Sequence, residues 1–92
     1  MIMKSVQIII SGDVQGVSFR DSTRTGANII GIKGFVRNLS GGSVEIIAKG
    51  TEEQIKKLIE LIKTNPGSSK VKEINVKDYN SEINEENFEI KY

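Results

Sequence analysis

The chain has 92 residues, the size of one domain, and we expect residues 1–92 to fold as a single unit. Its 13 Lys and Arg against 12 Asp and Glu give a formal net charge of +1, which argues against a dedicated nucleic-acid-binding protein. Cysteine and histidine are absent, which excludes disulfides, thiolate nucleophiles, a histidine base and any metal held by Cys or His. Chemistry in this chain must therefore use Arg, Lys, carboxylates, amides, hydroxyls and backbone N–H groups.

Two further observations bear on location and metals. The longest apolar run, Ile8–Ile10, is far shorter than the roughly 20 residues of a membrane span, and Met1–Lys4 lacks the apolar core of a signal peptide. We therefore predict no membrane association and a cytoplasmic location. The acidic residues show neither paired-carboxylate nor EF-hand spacing, so we predict no metal site.

The first half of the chain predicts a strand, a loop, a helix and a second strand. Alternating apolar residues over Lys4–Ser11 indicate the first strand, and the glycines of Gly12–Gly16 indicate a loop. Apolar residues recur three or four positions apart over Ser18–Ile30, which predicts a helix with Ser18 as a candidate N-cap. The segment Lys33–Asn38 is predicted to be a strand.

The second half predicts a hairpin turn, a strand, a helix and two more strands. In chain order these are the turn Ser40–Gly42, a strand over Ser43–Lys49, a capping box over Thr51–Gln54 with an amphipathic helix behind it, a stop at Asn65–Gly67, a strand over Val71–Tyr79, a loop over Asn80–Asn87 and a last strand over Phe88–Tyr92.

This order of elements predicts an α+β, ferredoxin-like fold. It reads β-α-β-β-α-β with a short additional strand at the C-terminus, the split βαβ arrangement in which an antiparallel sheet carries both helices on one face. Many unrelated functions use this fold, so the function must be argued from a site.

The segment from Gly12 to Arg20 is the first candidate site. Gly12 and Gly16 lie between a strand and a helix N-terminus, where several backbone N–H groups can converge on one anion. Arg20 falls in the first helical turn, where the helix dipole opposes a cation unless an anion lies between them. All three arginines (Arg20, Arg24 and Arg37) lie within Arg20–Asn38 although lysine is commoner overall, and the arginine fork fits phosphate oxygens. The alternative is that the glycines serve a turn and that Arg20 is a surface residue.

Asn38 is the second candidate. It ends a predicted strand just before the turn, and its ordinary role there is to initiate the turn by bonding its own backbone. If its strand lies beside the first strand, Asn38 and Arg20 face the same loop.

With these two segments the sequence resembles the acylphosphatase family. Ile10 and the run Gly12–Arg20 match an aliphatic residue followed by G-x-V-Q-G-V-x-F-R, and Gly34–Gly50 matches G-F-V-(K/R)-N-x-x-x-G-x-V-x-x-x-x-x-G. Two long motifs at the right separation are far more specific than a lone glycine loop.

The resemblance implies an enzyme that hydrolyses the carboxyl–phosphate bond of acyl phosphates without a cofactor. It implies that the arginine matching Arg20 grips the phosphoryl group and that the asparagine matching Asn38 orients the attacking water. The phosphate-binding loop that it implies consists of Asp13, Val14, Gln15, Gly16, Val17, Ser18 and Phe19. The partners expected are a small acyl phosphate and inorganic phosphate, as product or inhibitor, and the protein is expected to be a monomer.

The chemistry suits a chain without histidine. The leaving group of an acyl phosphate is a carboxylate, which is stable at neutral pH, so no general acid is required. Two residues depart from the family pattern. Asp13 puts a carboxylate in the anion loop, where it weakens phosphate binding if it points inward. Leu39 replaces the threonine that some relatives carry after the asparagine.

Two alternatives remain open at this point. A ferredoxin-like sheet can bind RNA through exposed aromatic residues, although the balanced charge and the lack of an RNP-type motif argue against such a module. The chain can also be a phosphate-sensing or carbamoyl-phosphate-processing piece of a larger assembly, although no appended domain in the sequence supports this.

Overall fold

The computed structural model describes residues 2–16 and 18–92, and it confirms the predicted order of elements. The strands and helices are β1 (Met3–Asp13), α1 (Phe19–Ile30), β2 (Lys33–Asn38), β3 (Val44–Thr51), α2 (Glu52–Lys63), β4 (Lys70–Asp78) and β5 (Phe88–Lys91). Within the described residues, neither helix is long and apolar enough to cross a membrane.

The sheet has the strand order β4-β1-β3-β2-β5, and it is mixed rather than antiparallel. The first four strands pair antiparallel, as predicted. β5, however, pairs parallel to β2, with Arg37 opposite Lys91. After the edge strand β4 the chain reverses and returns to the other edge, so β5 runs in the direction of β2. The C-terminal end of β5 therefore lies at the same end of the sheet as Asn38.

The core lies between one face of the sheet and the two helices. The strand residues predicted to face inward are buried, among them Ile8, Ile10 and Ile46, none of which exposes any surface. From the helices, Phe19 and Leu58 are also almost completely buried.

The two helices approach each other closely at a glycine. A Cβ atom added to Gly26 of α1 would come within 2.3 Å of a methyl carbon of Leu61 on α2. A larger residue at this position would require the Leu61 side chain to move, whereas glycine inside a helix costs about 0.5–1 kcal/mol relative to alanine.

β1 is longer than predicted because its pairing with β4 is locally irregular. β1 continues past the predicted end because a bulge between Ser11 and Gly12 shifts its register and lets Asp13 pair with Lys70. The capping box at the start of α2 is confirmed, since Thr51 Oγ1 accepts from the Gln54 N–H at 3.1 Å and Gln54 Oε1 accepts from the Thr51 N–H at 2.8 Å.

Side-chain hydrogen bonds, an ion pair and a cation–π contact attach β5 to the rest of the molecule. Asn28 of α1 bonds both backbone groups of Phe88, donating to its carbonyl at 3.1 Å and accepting from its N–H at 2.9 Å. Lys91 contacts Glu85 at 2.7 Å and lies 4.4 Å from the centre of the Phe35 ring. The strand that was predicted only as a short final element is therefore held to α1 and β2.

The face of the sheet away from the helices carries a polar network. Glu45 is buried there and accepts from Arg37 Nε at 2.6 Å and from Gln7 Nε2 at 2.7 Å. A buried carboxylate must be paired to be tolerated, and these two donors pair it. Arg37 is thus used in holding β1, β2 and β3 together on this face.

Candidate active site

The loop between β1 and α1 is anchored at both ends by buried side chains. Val14 and Phe19 are each 1% exposed, whereas Ser18 between them is exposed. Gly16 and Ser18 adopt the left-handed backbone conformation, with φ of 74° and 64°. A serine in this conformation is uncommon, and such residues cluster at functional sites. Val17 lies outside the described residues.

Ser18 does not act as the predicted N-cap. Its side chain makes no capping hydrogen bond to α1. An N-cap residue typically has an extended backbone, whereas Ser18 is left-handed, with φ of 64° and ψ of 17°.

The start of α1 presents free backbone donors. The first helical hydrogen bond runs from the Ser22 N–H to the Ser18 carbonyl at 3.0 Å. The N–H groups of Phe19, Arg20 and Asp21 precede it, and within residues 2–16 and 18–92 no oxygen is paired with them. Together with the partial positive charge of the helix N-terminus, these donors favour an anion.

A cavity of about 150 Å³ opens at this helix end. It is lined by Val14, Gly16, Ser18, Phe19, Arg20, Asp21, Ile90 and Tyr92. The first five belong to the predicted site. Sequence reasoning missed Ile90 and Tyr92, because they come from a strand whose parallel pairing it did not predict. Asp21, the adjacent residue in the first turn, was missed as well.

Arg20 is the arginine of this cavity, and it is half-buried. Its guanidinium carbon lies 4.9 Å from the centre of the Tyr92 ring, and it forms no ion pair with any residue that the structure describes. The other two arginines are paired, Arg24 with Asp21 and Arg37 with Glu45. The clustering of arginines in the sequence therefore points to a ligand only for Arg20.

Asn38 ends β2 on the side of the sheet that carries the helices. It shares this side with Val36, two residues earlier, and it pairs with Val44, which in turn pairs with Ile10. The Oδ1 atom of Asn38 is buried and accepts no hydrogen bond from the described part of the chain. Ser11, Thr23 and Ser69 also carry a buried oxygen of this kind, so the Oδ1 atom of Asn38 shows only that an acceptor is available there.

β1 and the strand of Asn38 are not neighbours, since β3 lies between them. Two links connect the loop to the strand and turn around Asn38, although Asn38 itself does not line the cavity. The side chain of Gln15 donates to the carbonyls of Leu39 and Ser43, at 2.8 and 2.7 Å. In addition, Arg37 pairs with Lys91, so that the following residues, Asn38 and Tyr92, lie at the same end of the sheet.

Asp13 is placed apart from the cavity. It is exposed at the end of β1, where it pairs with Lys70 of β4, and it does not line the cavity. Its carboxylate therefore does not face the cavity. In the described part of the chain, no group of three acidic residues is arranged to hold a metal ion.

The chain is similar to known proteins over nearly its whole length. An acylphosphatase family model matches residues 6–90. An acylphosphatase of Methanocella arvoryzae is 45% identical over 74 residues, which cover 80% of this chain and 84% of the relative. The crystal structure of the acylphosphatase from Bacillus subtilis has a TM-score of 0.90 at 34% identity and covers 99% of this chain and 100% of that one.

The same likeness extends to a segment of a larger protein. A structure of full-length HypF in a phosphate- and nucleotide-bound form has a TM-score of 0.89 at 36% identity, and the match covers 99% of this chain but 12% of HypF. With the family model spanning most of its residues and relatives of 34–45% identity, this chain belongs to the acylphosphatase family, a family of hydrolases that act on small acyl phosphates.

Proposed function

We propose that this chain hydrolyses acyl phosphates in the cavity at the start of α1, with Arg20 and the loop N–H groups binding the phosphoryl group and Asn38 orienting water. The single observation that carries the proposal is the pairing state of these groups. Within the described residues, the guanidinium of Arg20 has no carboxylate partner and the N–H groups of Phe19, Arg20 and Asp21 have no acceptor, and these three residues border one cavity.

The phosphoryl end of the substrate would lie against the free N–H groups. We propose that the phosphate-binding loop consists of Asp13, Val14, Gln15, Gly16, Val17, Ser18 and Phe19. Charge on a transferring phosphoryl group is spread over its three equatorial oxygens, which requires several donors from different directions. The free N–H groups and the two-pronged guanidinium of Arg20 would together supply these donors.

The attacking water would be held by Asn38. Its buried Oδ1 is free to accept a hydrogen bond from water, and an amide is not basic, so it orients the nucleophile without removing its proton. The water oxygen forms a bond to phosphorus while the bond from phosphorus to the acyl oxygen breaks. The carboxylate leaves with the electron pair, and a phosphoryl oxygen takes the proton of the water, giving inorganic phosphate.

The acyl end would meet the apolar wall of the cavity. Ile90 and the Tyr92 ring line this wall, opposite the polar groups of the loop. Tyr92 also stacks on the guanidinium of Arg20. The wall thus supports the arginine as well as the acyl group.

The test is Asn38→Ala. We expect kcat for an aromatic acyl phosphate to fall by about 10²-fold or more, because the oriented water is lost. Inhibition by inorganic phosphate should change by less than threefold, because Arg20 and the loop stay in place. Asn75→Ala is the matched control, since Asn75 is exposed on the edge strand β4. Hydrolysis by the Asn38 variant at close to the wild-type rate would contradict the role of Asn38.

The RNA-binding alternative finds little support on the open face of the sheet. Phe35 lies on this face, and the Lys91 ammonium lies over its ring, where a base would have to stack. Filter binding across salt concentrations separates the two functions, because contact with a phosphate backbone weakens steeply with salt.

The remaining expectations are part of this proposal and have their own tests. We propose a cytoplasmic, monomeric protein of one domain that takes inorganic phosphate as product or inhibitor and uses no cofactor. Cell fractionation, light scattering and activity after treatment with a chelator address these points in turn.

A further inference from the structure

One glutamine side chain connects the anion loop to the turn that follows Asn38. The Nε2 atom of Gln15 lies 2.8 Å from the Leu39 carbonyl oxygen and 2.7 Å from the Ser43 carbonyl oxygen, so both of its hydrogens are used. The Leu39 N–H donates to the same Ser43 carbonyl at 2.9 Å. Gln15 therefore binds the two ends of the turn between β2 and β3.

The two parts that Gln15 connects are also linked through the ladder in which Ile10 pairs with Val44 and Val44 with Asn38. Buried Val14 and Phe19 fix the loop to the core, and Asn38 is fixed by its place in the ladder between β2 and β3. Within the described residues, no other side chain forms a hydrogen bond between the loop and the turn. Loss of the Gln15 amide would thus leave each part folded but would loosen the separation of the loop and the turn beyond the end of that ladder.

We propose that the Gln15 side chain is a positioning residue, which sets the distance between the phosphorus atom bound at the loop and the water held by Asn38. The proposal rests on the function proposed above. An in-line attack needs the reacting atoms about 3–3.5 Å apart, and a misplacement of about 1 Å can cost about 10²-fold in rate. The Gln15 side chain would act on the distance between phosphorus and the attacking water. Its loss would therefore lower kcat more than it weakens the binding of phosphate.

The experiment compares Gln15→Ala and Gln15→Met with the wild type. Methionine keeps the length and packing of the side chain but cannot donate, so it removes the two hydrogen bonds alone. We expect kcat for an aromatic acyl phosphate to fall by about 10- to 100-fold in both variants. The inhibition constant of inorganic phosphate should stay within threefold of the wild type.

Gln7→Ala is the matched control. Gln7 also precedes α1 in the chain, and its side chain donates a partly buried hydrogen bond to Glu45 at 2.7 Å. This hydrogen bond lies on the face of the sheet away from the helices. Its loss should lower the melting temperature and leave kcat within twofold of the wild type.

Three results would overturn the proposal. They are a kcat of the Met variant within twofold of the wild type, a phosphate inhibition constant that rises as much as kcat falls, and a Met variant that no longer folds by circular dichroism. The last result would mean that the amide is needed for the fold itself. Failure of the proposed function is a separate outcome, because the wild type would then show no hydrolysis.

Discussion

The substitution Arg20→Lys tests the phosphoryl-binding group most directly. Lysine keeps the positive charge, but it replaces the planar fork of donors with a single ammonium group. It also loses the planar cation that stacks on the ring of Tyr92, at 4.9 Å. Charge alone is therefore separated from geometry in this variant.

The magnitude follows from two contributions. Loss of one well-placed donor to a transition-state oxygen costs about 3–4 kcal/mol. Loss of the contact with Tyr92, which is exposed, adds about 0.5–1 kcal/mol. The sum of about 3.5–5 kcal/mol corresponds to a fall in kcat/KM of about 10²- to 10⁴-fold.

A continuous absorbance assay with an aromatic acyl phosphate measures kcat/KM. The inhibition constant of inorganic phosphate measures how much of the loss is already present in the binding of the ground state. We expect both to be impaired, because Arg20 contacts the phosphoryl group before and during the reaction. Arg24→Lys is the control on the same helix, since Arg24 pairs with Asp21 and does not line the cavity. Retention of more than a third of the wild-type kcat/KM by Arg20→Lys would refute the reasoning, as would an equal loss in the control.

Two predictions concern stability. The hydrogen bond from the Lys91 ammonium lowers the pKa of the Glu85 carboxyl below its ordinary value of 4.5. The pair therefore stabilises the fold above pH 4.5, and this stabilisation is lost as the pH falls through the lowered pKa. Glu85→Gln should therefore reduce the free energy of unfolding at neutral pH by up to about 1 kcal/mol and have no effect near pH 2, and an equal effect at both pH values in calorimetry would contradict this. Thr51→Ala removes the capping side chain of α2 and should lower the free energy of unfolding by about 1 kcal/mol in urea titrations, whereas an unchanged urea midpoint would mean that the cap contributes nothing.

Much of the fold could be predicted because its signals are local. The alternation in β1 and β3, the period of α2 and the capping box at Thr51 each depend on residues a few positions apart. The parallel pairing of β5 with β2 was not predicted, because the pairing of an edge strand depends on the path of the preceding loop across the sheet. That path leaves no periodic pattern in the sequence.

The candidate site likewise contains some residues that local sequence signals predict and others that they do not. Arg20 and the loop glycines were found because a cation at a helix N-terminus is locally unfavourable, and such a conflict suggests a function. Tyr92 was missed, since its place beside Arg20 follows from the parallel pairing of β5. The two carbonyls that Gln15 binds, more than twenty residues away, were also beyond sequence reasoning.

The way in which β5 is attached has a consequence for how the cavity behaves in solution. A four-residue strand at the margin of a sheet can detach without unfolding the remaining strands, and its detachment would take Tyr92 away from Arg20. Every molecule in that opened state would bind substrate less well, so the observed affinity falls in proportion to the population that is open. The two hydrogen bonds of Asn28 hold the strand closed. Asn28 does not line the cavity, yet its two hydrogen bonds favour the closed state over the opened one.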